Sequence, residues 1–187
     1  MENSFILHFL FSFAAGSYDF ASLIVLCINH LIFQLINDMK ILMVCLGNIC
    51  RSPLAEGIMK TKVPESFFVD SAGTISLHEG ETPDKRAVKT AANHHIDISE
   101  QRSRPITKSD FETFDKIYCM DIDVYEDVVS KAQNEEQRRK IALFMSALGD
   151  HKNAEVPDPY WGDMKDFEAV YQLLDKGCDA IKNQILS

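Results

Sequence analysis

Residues 40–57 read KILMVCLGNICRSPLAEG, an apolar run that passes through a polar loop and leaves through proline. Ile41 to Val44 suit a strand buried on both faces, as parallel sheets require. Pro53 fits the first turn of a helix, where no amide donor is needed, and Leu54-Ala55-Glu56 continue that helix. The stretch therefore predicts strand, anion-binding loop and helix in succession. The free N–H groups at the helix start, and the positive end of its dipole, favour an anion in the loop.

The side chains of the loop fit that electrostatic setting. Gly47 and Asn48 both tolerate the left-handed backbone that turns amides inward. Cys45 opens the loop, and Arg51 presents a planar fork able to hold two phosphate oxygens at once. Ser52 can offer a hydroxyl to the sulfur. An ordinary thiol titrates near ~8.5, whereas a helix N-terminus with a cation brings such a group to roughly 3.5–7.5. A shift of ~3 units asks for about 4 kcal/mol, within reach of several amides, a hydroxyl and a guanidinium.

Outward from the loop, helical sequence is expected over 54–62, then a second strand from Phe67 to Ser71 ending at Ala72-Gly73. A helix is predicted over 84–94 and a third strand over 114–120. A further helix follows over 121–130, a fourth strand over 141–145, and a one-faced helix over 164–186 carrying Phe167, Val170, Tyr171, Leu174, Cys178, Ile181 and Ile185. This alternation predicts an α/β, Rossmann-like fold. It is a single domain with a four-stranded parallel sheet, helices on both faces, and a site at the strands' carboxyl ends, where Cys45 sits. Near the other end, Val156-Pro157-Asp158-Pro159-Tyr160-Trp161-Gly162 places prolines on both sides of Asp158, which restricts its backbone to extended forms.

The loop Cys45-Leu46-Gly47-Asn48-Ile49-Cys50-Arg51-Ser52-Pro53, followed by Leu54-Ala55-Glu56, resembles the active-site loop of low-molecular-weight protein tyrosine phosphatases. The segment around Asp158 is the second motif of that resemblance. The resemblance implies a metal-independent, cofactor-free enzyme that hydrolyses phosphotyrosine or aryl phosphate monoesters through a phosphocysteine. Cys45 is then the nucleophile, and Arg51 with the amides of Leu46, Gly47, Asn48, Ile49, Cys50 and Ser52 holds the phosphate. Asp158 is the general acid and then the base. Tyr160 and Trp161 match the family's aromatic wall, and Leu77 stands where many relatives carry an aromatic residue. Asn48, Ser52 and Ser71 match a loop-supporting network, with Gln101 in place of its histidine. Cys50 has two readings, a small residue packed beside the loop or a reversible disulfide partner of Cys45.

Three rivals share parts of the pattern. Arsenate reductases of the same fold relay electrons through further cysteines, but Cys119 has no pair after it. Arginine-phosphatase relatives carry a small polar threonine at the position of Ile49, so Ile49 points to phosphotyrosine. A non-enzymatic phosphate-binding module would not need both an activated cysteine and a proline-framed aspartate.

Composition narrows the partners. With 19 basic and 28 acidic residues, net −9, the chain is a poor binder of nucleic acid, so a phosphorylated substrate must be captured by local positive potential. A phosphotyrosine-bearing protein or small aryl phosphate, and a cognate tyrosine kinase, are the expected partners. The five cysteines, Cys27, Cys45, Cys50, Cys119 and Cys178, lack a framework or zinc spacing and suit a reducing, cytoplasmic compartment. Cys119 and Cys178 read as core residues. His78, His94 and His95 read as surface or helix-end residues, and Asp121, Asp123, Glu126 and Asp127 as a solvated face. Residues 1–38 form an atypical apolar extension without lysine or arginine, matching neither a secretory signal nor a spanning helix. Met39 is expected to be the true start, with 39–187 as the phosphatase-like domain, and membrane contact is expected only if the extension is native.

Overall fold

The computed structural model describes residues 38–149 and 155–187. The expectations placed on residues 1–37, Cys27 among them, lie outside the described residues. From Met39 onward the elements are β1 (Lys40–Cys45), α1 (Arg51–Lys62), β2 (Phe68–Gly73), α2 (Lys85–Asn93), α3 (Asp110–Thr113) and β3 (Lys116–Cys119). They continue with α4 (Ile122–Lys131), α5 (Glu135–Arg139), β4 (Ile141–Leu143), a 3-10 turn over Phe144–Leu148 and α6 (Met164–Ile185). The four strands are all parallel, in the order β2-β1-β3-β4.

The alternation of side chains along β1 builds both cores at once, because neighbouring residues of a strand point to opposite faces. Ile41 and Met43 join Leu54, Ile58, Ala87, Phe167 and Leu174, so α1, α2 and α6 cover one face. Leu42 and Val44 join Phe111, Phe114, Val124 and Val128, so α3 and α4 cover the other. This is the predicted parallel sheet with helices on both faces. Because β1 pairs with β2 on one side and β3 on the other, the chain reverses direction of growth at the carboxyl end of β1. An open crevice is expected there, and Cys45 is the last residue of that strand.

Three stretches differ from the sequence expectations. The fourth strand stops at Leu143 and winds into the 3-10 turn, closed by Gly149 in the left-handed region at φ 71°. Phe144 is thereby buried under α6. The short helices α3 and α5 also stand where no helix was expected, since four or five residues are too few to show a helical period.

Candidate active site

The loop between β1 and α1 is held from beneath by side chains. Asn48 takes the left-handed backbone at φ 54°, whereas Gly47 does not. Gly47 is constrained by space instead, since a Cβ there would lie 3.2 Å from Cδ2 of His78. The Asn48 side chain donates through Nδ2 to Ser52 Oγ and to Ser71 Oγ, each at 2.9 Å, and its Oδ1 accepts the N–H of Arg104 at 2.9 Å. Ser71 in turn donates to the buried carboxylate of Glu56 at 2.6 Å. Burial raises the Glu56 pKa, and the bonds from Lys60 and Ser71 only partly offset it. Ser103 donates to the carbonyl of Gly47 at 3.1 Å. The end of β2 presses on the loop as well: a Cβ at Gly73 would meet the carbonyl oxygen of Leu46 at 2.7 Å.

At the mouth of the loop, Sγ of Cys45 lies 3.0 Å from Ser52 Oγ and accepts the N–H of Asn48 at 3.3 Å. Cys50, the residue preceding α1, gives that helix no side-chain cap, which leaves its first-turn amides available to an anion. Cys50 is itself buried, and burial, with Asp84, Cys45 and Asp158 close by, pushes its thiol up. It is a free thiol, as are Cys45, Cys119 and Cys178.

Arg51 is buried and shared between two carboxylates. Nη1 donates to Asp121 at 2.6 Å and to the carbonyl of Val156 at 3.2 Å, while Nη2 donates to Asp158 at 2.9 Å. Burial works against its charge, but Cys45, Asp158 and Asp121 outweigh that effect and raise its pKa. Asp121 is therefore not part of a solvated acidic face. It stands at the start of α4, where Oδ1 caps the helix through the N–H of Val124. A cleft of about 620 Å³ opens over Arg51, and Leu46, Ile75, Asp121, Pro157 and Asp158 are among the residues that line it.

Other expected residues fall differently. Tyr160 and Trp161 meet edge to face with centroids 4.9 Å apart, and Trp161 is almost wholly exposed. Leu77 points into solvent and does not line the cleft, whose apolar residues include Leu46 and Ile75. Gln101 does not reach the Asn48 network. Its Nε2 lies 4.0 Å from where a Cβ on Gly57 would stand, and its buried Oε1 has no partner among the described residues. His94 caps the end of α2, stacks on Tyr171 at 3.7 Å and pairs with Glu168. His78 pairs with Glu81. Cys119 and Cys178 are fully buried. No group of His, Cys, Asp or Glu among the described residues is arranged to hold a metal ion.

The low molecular weight phosphotyrosine protein phosphatase family matches this sequence over residues 40–186. The chain belongs to that family. It is 36% identical to the low molecular weight phosphotyrosine protein phosphatase of Sus scrofa over 151 residues, 78% of this chain and 95% of the pig protein. Its fold matches the crystal structure of a protein tyrosine phosphatase from Entamoeba histolytica with Hepes in the active site. That match has TM-score 0.72 and 40% identity, and covers 76% of this chain and 94% of the other. A Drosophila arginine phosphatase is also similar, with TM-score 0.75 and 31% identity over 80% of this chain and 99% of its own.

Two contributors to the site in this family member were hidden from sequence reasoning. Asp121 lay among other acidic residues, and Glu56 read as an ordinary helix glutamate. Asp121 meets Arg51 70 positions away and Glu56 meets Ser71 of β2 in addition to its helix neighbour Lys60, and neither contact with another element leaves a local pattern.

Proposed function

We propose that this protein hydrolyses phosphotyrosine and aryl phosphate monoesters through a phosphocysteine intermediate, with residues 39–187 as the catalytic domain. The observation that carries this reading is Asp158 at 2.9 Å from Arg51, whose guanidinium is also stabilised by Cys45, a sulfur that accepts the N–H of Asn48. Arg51 thus links the residue proposed as proton donor to the residue proposed as nucleophile.

In the first step Cys45 attacks phosphorus in line with the aryl oxygen. The S–P bond forms, the P–O bond to the ring breaks, and Asp158 gives its proton to the departing phenolate. Arg51 and the loop amides take the equatorial oxygens, so Nη2 exchanges Asp158 for phosphate as substrate enters. In the second step Asp158 takes a proton from water, whose oxygen bonds to phosphorus as the S–P bond breaks. Inorganic phosphate leaves and the thiolate is restored. Tyr160 and Trp161 at the rim suit an aromatic ring. Phosphotyrosine-bearing proteins, a cognate tyrosine kinase as their source, and a cytoplasmic setting complete the reading. No helix among the described residues is long and apolar enough to cross a membrane.

Assaying an aryl phosphate, phosphoarginine and arsenate side by side, with wild type and Cys45→Ser, tests this. Turnover of the aryl phosphate alone, abolished by Cys45→Ser, is expected. Preferential turnover of phosphoarginine, or near-normal activity of Cys45→Ser, would overturn it.

A further inference from the structure

Arg86, the second residue of α2, spans the space between the phosphate loop and the segment that carries Asp158. On one side its guanidinium grips Asp84 with two bonds, Nε to Oδ1 at 3.0 Å and Nη2 to Oδ2 at 2.7 Å. Asp84 caps α2 through the N–H of Arg86 at 2.7 Å, and its own N–H donates to the carbonyl of Ile49 at 2.8 Å. Ile49 belongs to the loop itself, so this end of Arg86 is tied to the cradle.

On the other side Nη1 donates to the carbonyl of Gly162 at 2.9 Å. The guanidinium lies over the Phe167 ring at 4.6 Å and faces the Tyr160 ring at 5.9 Å. Gly162 closes a turn by donating to Pro159 O at 2.9 Å, and Tyr160 donates to Asp158 Oδ1 at 3.1 Å. The turn gripped by Arg86 is thus the one whose Tyr160 amide orients the Asp158 carboxyl.

We propose that Arg86 is a positioning residue for proton transfer, fixing the distance between the segment bearing Asp158 and the phosphate loop. The proposal rests on the reading of Asp158 as proton donor. Among the described residues Arg86 makes no hydrogen bond to Cys45, Arg51 or Asp158, so its effect is expected chiefly in the step that needs a well-placed acid. A planar fork that grips a carboxylate, a carbonyl and two rings at once is something lysine cannot reproduce. The side chain is about a third exposed, so its loss should not open the core.

The test measures kcat/KM for aryl phosphates whose phenols run from good to poor leaving groups. Wild type, Arg86→Met, Arg86→Lys, Asp158→Ala and the Arg86→Met/Asp158→Ala double variant are compared, with inhibition by inorganic phosphate and thermal unfolding alongside. Protonation matters most for a poor leaving group, and a misplaced acid loses about 10- to 100-fold. Arg86→Met is expected to lose about tenfold on the poorest leaving group and less than about twofold on the best. Phosphate inhibition should be unchanged, Arg86→Lys should recover only part of the loss, and the double variant should be no slower than Asp158→Ala. A uniform loss across the series, or a further loss in the double variant, would overturn the role of Arg86 while the reading of Asp158 stands. A flat series for Asp158→Ala would overturn that underlying reading itself. If Arg86→Met fails to fold, Arg86→Lys decides on the same criteria.

Discussion

Asp121 Oδ2 stands 2.6 Å from Nη1 of Arg51 across 70 positions of sequence, while its other oxygen caps α4 through the N–H of Val124 at 2.8 Å. One carboxylate thus fixes both the direction of Arg51, the proposed phosphate clamp, and the start of a helix. The two roles can be separated. Asp121→Asn keeps a cap, because asparagine caps as well as aspartate, but removes the charge facing Arg51. A charge-assisted bond is worth about 1.5–3 kcal/mol, so kcat/KM for an aryl phosphate should fall about 10- to 100-fold with little change in stability. Asp121→Ala should lose a further ~1 kcal/mol of stability in urea unfolding.

Asp158 is paired with Arg51 and yet close to half exposed. An anion entering the loop must displace it from Nη2. Asp158→Ala should therefore bind inorganic phosphate or vanadate as tightly as wild type or more tightly, while turnover drops about 10²- to 10⁴-fold. Competitive inhibition constants measured beside single-turnover rates check both halves.

Gly177 lies inside α6, where alanine would ordinarily stabilise a helix by about 1 kcal/mol. Here a Cβ would come within 2.7 Å of Cζ of Phe144, a fully buried ring. Overpacking of this kind costs about 1–3 kcal/mol, which outweighs the propensity gain. Gly177→Ala should lower the urea midpoint and leave turnover at 25 °C unchanged.

The thiols of Cys50, Cys119 and Cys178 are each pushed up, mainly by burial. The unfolded chain loses these protons near the ordinary thiol value while the native state keeps them. Above that point the native state holds more protons, so stability falls as pH rises, by up to ~1.4 kcal/mol per pH unit for each cysteine. Unfolding free energy should be flat with respect to these groups below about pH 8 and decline above it. Replacing Cys119 by alanine should make that decline shallower, measured by urea titrations between pH 7 and pH 10.

Much of the molecule was legible in the sequence because its signals are local. Ile41 to Val44 announced a doubly buried strand, and Pro53 announced the helix after it. The proline-framed Asp158 stood out for the same reason, and the structure brings it to Arg51. What escaped depends on partners distant along the chain. Asp121 sits among Asp123, Glu126 and Asp127, and nothing in their spacing says that one of them turns inward to a guanidinium. Glu56 stands in the sequence only as part of the helix that Pro53 opens, and nothing local says that β2 brings Ser71 against it. Gln101 was expected to support Asn48, but the Arg104 backbone fills that place, and a backbone donor leaves no mark on side-chain chemistry.

The approach of Gly73 to the Leu46 carbonyl has a consequence for anyone reshaping this catalyst. The side chains of Leu77 and Trp161 stand largely in solvent and can be varied in a directed-evolution library without disturbing the framework. Position 73 cannot, because even one added methyl would push Leu46, the neighbour of Cys45, sideways by a fraction of an ångström. Libraries should therefore leave that single site untouched and concentrate their variation on the outer edge.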